Sequence, residues 1–141
     1  MTKFIIRKLH KNDFKEYYRL LNYFRPTTFT QSEFIKTLES IENQNSEIWV
    51  IDLDDTLIGT GTILYEHKFI HNISKIGHIE DICIDTNYRG KGFGHLLINY
   101  LIEEVKTNMC YKVTLYCEES LEKFYKSVEL EKKGIQMAKY F

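Results

Sequence analysis

Proline occurs only once in these 141 residues, at Pro26. A chain with so few rigid breaks has no proline-rich linker and reads as one folded unit over 1–141, without repeats or low-complexity tracts. Cysteine is scarce too, and Cys83, Cys110 and Cys117 give no complete pairing. Cys110 and Cys117 flank one predicted strand, roughly 23 Å apart if fully extended, too far to bridge. Buried, reduced thiols are expected. No apolar run approaches the roughly 20 residues that cross a bilayer, and the N-terminus, with Lys3 and Arg7, lacks a signal-peptide core. Excess charge of either sign is also missing: 19 basic residues face 20 acidic ones, a net charge of −1, which argues against non-specific nucleic-acid binding. A cytoplasmic protein with no membrane or nucleic-acid partner is expected. What the chain does have is core material. It is 43% hydrophobic and 14% aromatic, enough for one compact domain.

Periodicity and punctuation divide the chain into short elements. Phe4–Leu9 reads as an opening strand. Asn12 or Asp13 can cap a helix that carries Phe14, Tyr17, Tyr18, Leu21 and Phe24 on one face, and Arg25-Pro26 ends it. Thr30 and Glu33 form a capping box for a second helix to about Glu42. Ile48–Ile51 is a strand and Asp52–Asp55 a turn. Thr56–Glu66 is a long strand whose Gly59 and Gly61 suggest bends or a close neighbour. Phe69–Ile76 looks irregular, and Gly77–Ile84 is the next strand. A third helix carries the apolar pattern Leu96–Val105. Tyr111–Cys117 is a strand, Glu119–Ser127 a short helix and Leu130–Phe141 a final strand. The order βααβββαβαβ predicts an α/β (α+β) domain with a mixed sheet flanked by helices.

The most informative segment lies between the strand ending at Ile84 and the third helix: Arg89-Gly90-Lys91-Gly92-Phe93-Gly94. Strand, glycine loop and helix together present backbone N–H groups to an anion. The glycines let the main chain approach a phosphate closely, and Arg89 and Lys91 add positive charge. No Gly-Lys-Ser/Thr is present, so this is not a Walker A loop. The glycine spacing is not that of a dinucleotide fingerprint, and too little chain follows for a doubly wound domain. The third pattern is Arg/Gln-x-x-Gly-x-Gly/Ala, filled by Arg89, Gly92 and Gly94. It resembles the pyrophosphate loop of the GNAT N-acetyltransferases, which use acetyl-CoA as co-substrate.

From about Gly59 to Lys126 the chain is further similar to the glucosamine 6-phosphate N-acetyltransferase branch of that superfamily. The resemblance rests on Glu66–His71, Gly77–Ile82, the glycine loop, Cys110–Leu115 and Lys123–Lys126. It implies an enzyme acetylating the 2-amino group of glucosamine 6-phosphate, which would feed UDP-N-acetylglucosamine synthesis. It implies that main-chain groups of Ile82, Cys83 and Ile84 run beside the pantetheine arm. Arg89, Gly90, Lys91, Gly92, Phe93 and Gly94 would hold the pyrophosphate. Tyr125 falls where the family places the donor to the departing thiolate, a fitting role for a phenol with a pKa near about 10. Glu80 and Asp81 are assigned to the amino sugar, although neighbours on a strand face opposite ways unless it bulges. Lys68 and His71 match positions lining the sugar-phosphate site. A homodimer sharing its sugar site through the C-terminal strands is also implied. His67 and His71 have the spacing of helical metal ligands, but the segment reads as extended and no third ligand is evident, so no metal is expected.

The pattern breaks at the amine-activating step. The family usually has an acid in a Leu-Asp/Glu-Cys triplet, where this chain has Leu115-Tyr116-Cys117. The resemblance places Tyr116 at the substrate, but a tyrosine cannot replace a carboxylate as base. Glu118 would face the same side of a regular strand and could take the role if the strand ran further. Otherwise Glu80 or water must accept the proton. Leu121 stands near a usual Asn, and Val128-Glu129-Leu130 replaces Cys-Gly-Phe. Lys139 is the nearest candidate for the basic residue that relatives offer to the sugar phosphate. Two other readings stay open: acetylation of another amino sugar, a polyamine or a protein amine, and a CoA-binding module without turnover.

Overall fold

Alternating apolar residues become five strands: β1 (Phe4–Lys8), β2 (Ser46–Leu53), β3 (Thr56–His67), β4 (Lys75–Ile84) and β5 (Lys112–Leu115). The computed structural model describes residues 3–141. The strands form one sheet in chain order. The first four pair antiparallel, while β5 runs parallel to β4. Helices α1 (Phe14–Leu21) and α2 (Gln31–Asn43) cover one face. Helix α3 (Phe93–Thr107) and the short α4 (Glu122–Lys126) lie on the other. Among the described residues no helix is long and apolar enough to cross a membrane.

Two cores result. Tyr17, Leu20, Phe34, Leu38, Ile48, Val50, Leu57 and Cys83 pack between α1, α2 and the sheet. On the other face Ile51, Ile58, Ile63 and Ile79 meet Leu97, Ile98, Leu101 and Val105 of α3. Leu97, Ile98 and Leu101 are fully buried, and each contributes about 1.5–3 kcal/mol through removal from water. Asp54 and Asp55 both take positive φ, 49° and 66°, the conformation that a two-residue hairpin turn requires. Thr30 caps α2, its Oγ1 accepting from the Glu33 N–H at 3.1 Å, which is one of the two bonds of the expected capping box.

Several boundaries differ from the sequence expectation. Asp13 precedes α1 but does not cap it, because its carboxylate accepts from Arg7 at 2.8 and 2.9 Å and from the His10 N–H at 2.7 Å. β4 begins at Lys75, inside the stretch expected to be irregular. β5 stops at Leu115 instead of Cys117. Cys110 and Cys117 are free and half-buried, and only Cys83 is buried. The predicted last strand, Leu130–Phe141, does not form: the segment enters no ladder, and everything after Leu130 is exposed. A strand needs a neighbour to satisfy its N–H and C=O groups, and among the described residues this segment pairs with none.

Candidate active site

Strand β4 carries the central irregularity. Thr62 pairs with Glu80, but Thr60 pairs with Cys83, so Gly61 stands opposite both Asp81 and Ile82. This is a β-bulge, with Asp81 at φ 51°. Its consequence can be read from side-chain direction. Ile79 faces α3, and so do Ile82 and Ile84, while Cys83 faces the α1–α2 core. The extra residue reverses the alternation, and Glu80 and Asp81 are both exposed. The objection that neighbouring acids must face opposite ways is therefore removed. Gly61 makes the bulge possible: a Cβ there would lie 2.6 Å from Ile82 Cδ1 and 2.7 Å from Leu101 Cδ1. Gly61→Ala should cost about 1–3 kcal/mol from overpacking, measured as a lower urea midpoint with an unchanged m-value.

The strand is also open along one edge. β5 pairs with β4 only from Ile76↔Lys112 to Ile79↔Leu115. Beyond Ile79 the two strands part, and the β5-facing side of Glu80–Ile84 has no neighbouring strand among the described residues. The main chain of Ile82, Cys83 and Ile84 lies in this open stretch. Burial pushes the Cys83 thiol up to about 11, and its Sγ lies 3.7 Å from the Leu20 carbonyl. Its side chain belongs to the core.

The glycine loop follows at once. Asp85 is 1% exposed. It anchors the exit from β4, accepting from Arg19 Nη1 at 2.8 Å and from the Asn87 N–H at 2.9 Å. Arg19 also donates to the Leu57 carbonyl at 2.8 Å and pairs with Glu16, tying α1 to β3 and to this turn. Arg89 Nε donates to the Ile84 carbonyl at 3.0 Å, and Lys91 leans over the Tyr88 ring. Gly92 sits just before α3 at φ 87°, ψ 0°, with no side chain capping the helix. A Cβ on Gly92 would meet no atom within 4 Å. The first-turn amides of Phe93, Gly94 and His95 precede the first helical hydrogen bond, from the Leu96 N–H to the Gly92 carbonyl. The arrangement is a left-handed glycine opening a helix mouth, with Arg89 and Lys91 in the segment just before it.

Tyr125 lies beside this mouth. It is 8% exposed and belongs to the core built by Leu97, Ile98 and Leu101. Its neighbour Phe124 lies 3.4 Å from where a Gly94 Cβ would stand. Burial, and then the nearby Cys117, raise the phenol above its ordinary range. The Tyr125 phenol therefore keeps its proton at physiological pH.

Other candidates stand apart. Tyr116 and Glu118 are exposed and lie beyond the end of β5, so the regular strand that would bring Glu118 to the side of Tyr116 is absent. Lys68 and His71 lie in the β3–β4 connection, at the far end of β4 from the glycine loop. Nine residue steps separate Lys75 from Ile84, about 30 Å at strand rise. Lys68 pairs with Glu66 at 3.1 Å, and Glu66 also contacts His78 at 2.8 Å. His78 first, then Lys68, hold the Glu66 carboxyl below its ordinary range. His71 stacks on Tyr111 with centroids 4.2 Å apart. His71, Asn72 and Ile73 form a left-handed turn, φ 54°, 60° and 59°, a strained state for a β-branched residue. Lys139 lies in the exposed C-terminal segment, near the Phe141 ring. Two cavities of about 220 and 400 Å³ lie elsewhere, one apolar beneath α1 and α2, the other polar around Glu47, Tyr65 and Lys75. Among the described residues no cluster of three or more His, Cys, Asp or Glu side chains could hold a metal.

The bulge had a signal in the sequence: the core-facing residues Ile79 and Ile82 are three apart, which breaks a period of two. The Arg19–Asp85 pair, 66 residues apart, had none.

Known proteins share this fold and much of this sequence. The model of a family described as "Acetyltransferase (GNAT) family" matches residues 11–128. Glucosamine 6-phosphate N-acetyltransferase 1 of Dictyostelium discoideum is 37% identical over 139 residues, covering 95% of this chain and 88% of that protein. The glucosamine 6-phosphate N-acetyltransferase of Arabidopsis thaliana is 34% identical over 98% of this chain and 97% of its own length. A crystal structure of the Arabidopsis enzyme superposes with a TM-score of 0.93 at 35% identity, covering 99% of both chains. The chain belongs to the GNAT acetyltransferase family.

Proposed function

We propose that the protein moves the acetyl group of acetyl-CoA to the 2-amino group of glucosamine 6-phosphate, giving N-acetylglucosamine 6-phosphate and CoA for UDP-N-acetylglucosamine synthesis. The observation that carries this reading is the bare helix mouth beside the open, bulged edge of β4. Similarity over nearly the whole chain to proteins bearing that enzyme name supports the choice of acceptor. The amides of Phe93, Gly94 and His95 receive the diphosphate, with Arg89 and Lys91 adding charge. The main chain of Ile82–Ile84 lines the pantetheine arm, and an N–H there polarises the thioester carbonyl. Glu80 accepts the proton that the amine loses on attack. The C–N bond forms as the C–S bond breaks, and Tyr125 supplies the proton that converts the leaving thiolate to a thiol. Asp81 orients the sugar.

Tyr116, 61% exposed where relatives usually hold an acid, favours a second reading in which the acceptor is a different amine. Measuring free-thiol release with acetyl-CoA and glucosamine 6-phosphate, glucosamine or spermidine separates the readings. Release with glucosamine 6-phosphate alone supports the first. Release only with another amine supports the second. Tight CoA binding with no release would reduce the protein to a binding module.

Two copies share the sugar site in this proposal. The exposed C-terminal segment, with Ile135 at 92% and Met137 at 90%, and the remoteness of Lys68 and His71 from the glycine loop support it. The second copy brings its Lys68, His71 and Lys139 to the phosphate. Mixing Lys68→Ala chains with Tyr125→Phe chains should restore about a quarter of wild-type turnover, since half the dimers are mixed and each has one intact site. No restoration in a mixture shown by mass to contain mixed dimers would place each site within one chain.

A further inference from the structure

We propose that His95 and Ser127 form a latch that holds α4, and with it Tyr125, against the coenzyme-gripping turn of α3. His95 is then a positioning residue for acetyl transfer. The inference rests on the role of Tyr125 proposed above.

His95 is the third residue of α3, and Ser127 directly follows α4. His95 Nε2 lies 2.8 Å from Ser127 Oγ, and Ser127 Oγ also contacts the Phe124 carbonyl. A serine hydroxyl has one proton, and a carbonyl can only accept. Ser127 therefore donates to Phe124, and its oxygen accepts from His95, which must carry its proton on Nε2. The His95 ring meets the Phe124 ring edge-on, with centroids 4.5 Å apart, and Phe124 meets Tyr125 in the same way at 4.9 Å. A Cβ built on Gly94 would stand 3.4 Å from the Phe124 ring, so the start of α3 and the Phe124 ring are close neighbours. A continuous path thus runs from the α3 mouth through His95 and Phe124 to Tyr125.

The latch matters because α4 cannot hold its own place. Five residues are far too few for an independently stable helix. Its Glu122–Lys126 ion pair is loose, at 3.7 Å. The position of Tyr125 therefore depends on contacts across to α3. His95 and Ser127 are both exposed, so their contact adds little to the core. The same residue offers its amide to the diphosphate and its imidazole to α4. One residue therefore stands both at the turn proposed to grip the coenzyme, through its main chain, and against the helix that carries the proton donor, through its side chain. A proton donor displaced by about 1 Å can lose up to 10²-fold in rate.

The test compares His95→Ala, Ser127→Ala and His95→Gln in the full-length protein, each in wild-type and Tyr125→Phe backgrounds. Turnover, CoA affinity by calorimetry and thermal unfolding are measured together. Glutamine places an N–H donor at about the reach of Nε2. His95→Ala and Ser127→Ala should each lower kcat about 5- to 20-fold, with CoA Kd and Tm nearly unchanged. The double alanine variant should be no worse than either single one, and His95→Gln should recover most of the rate. In the Tyr125→Phe background none of the three should cost anything further. If Tyr125→Phe is slow and His95→Ala keeps the wild-type kcat, the latch is overturned while the role of Tyr125 stands. Equal losses with and without the phenol would also overturn it. If Tyr125→Phe itself turns over normally, the reading of Tyr125 falls, and the latch with it.

Discussion

Tyr125→Phe should lower kcat by about 10²- to 10³-fold, within the range for loss of a positioned proton donor, and leave the Kd for CoA within about two-fold. The substitution removes one oxygen and keeps the ring in place. That ring is 8% exposed and packs on Phe124 at 4.9 Å, so the fold should survive. The split between kcat and CoA affinity is the informative result. Tyr125 is assigned a partner, the leaving sulfur, that exists as an anion only as the thioester breaks, so its loss should not be felt in coenzyme binding. The pH profile gives a second check. Burial first, then Cys117, raise the phenol from 10.0. An acid works only while it holds its proton, so activity due to Tyr125 persists through neutral pH and falls only as pH rises through that raised value. The wild-type kcat should therefore hold on the alkaline side to beyond pH 10, and the phenylalanine variant should lack the falling limb. An unchanged kcat would remove Tyr125 from the mechanism.

Gly92→Val should weaken CoA binding by about 10- to 100-fold, or about 1.4–2.8 kcal/mol. Two effects act together. Gly92 holds φ 87°, and a left-handed residue with a Cβ costs about 1–2 kcal/mol, more when β-branched. Relief of that strain would turn the first amides of α3 away from their common target. In addition, a Cβ at Gly92 meets no protein atom within 4 Å, so an added side chain enters open space beside the proposed diphosphate site. Calorimetric titration with CoA reads the loss directly, and a thermal melt shows whether the fold is intact. A Kd within two-fold of wild type would mean that the helix mouth is not the diphosphate site.

The comparison of Gly92 with Asp81 shows which features a linear sequence discloses. Both take positive φ. At Gly92 the residue type, the preceding strand and the following apolar helix all announce a backbone anion site, because each is a local preference of a few adjacent residues. At Asp81 the residue type announces nothing. The bulge exists because Gly61, twenty positions earlier, leaves space that Ile82 and Leu101 fill. Only the broken alternation between Ile79 and Ile82 hints at it. The same division applies to the ends of the sheet. The turn at Asp54–Asp55 and the Thr30 cap are local and were legible. The length of β5 was not, because a strand ends where its neighbour departs, and β4 departs at the bulge.

By itself, the amino-acid order determined the mixed sheet flanked by helices and the glycine loop, since capping, alternation and glycine torsions operate over a few residues, and its motifs carried the resemblance to the family. Tertiary structure alone decided that Glu80 and Asp81 share the open edge of β4. It also decided that Arg19 braces the exit from that strand, that His95 reaches Ser127, and that Lys68 and His71 lie far from the loop. Each of these depends on which distant segments meet, and packing of the whole chain settles that.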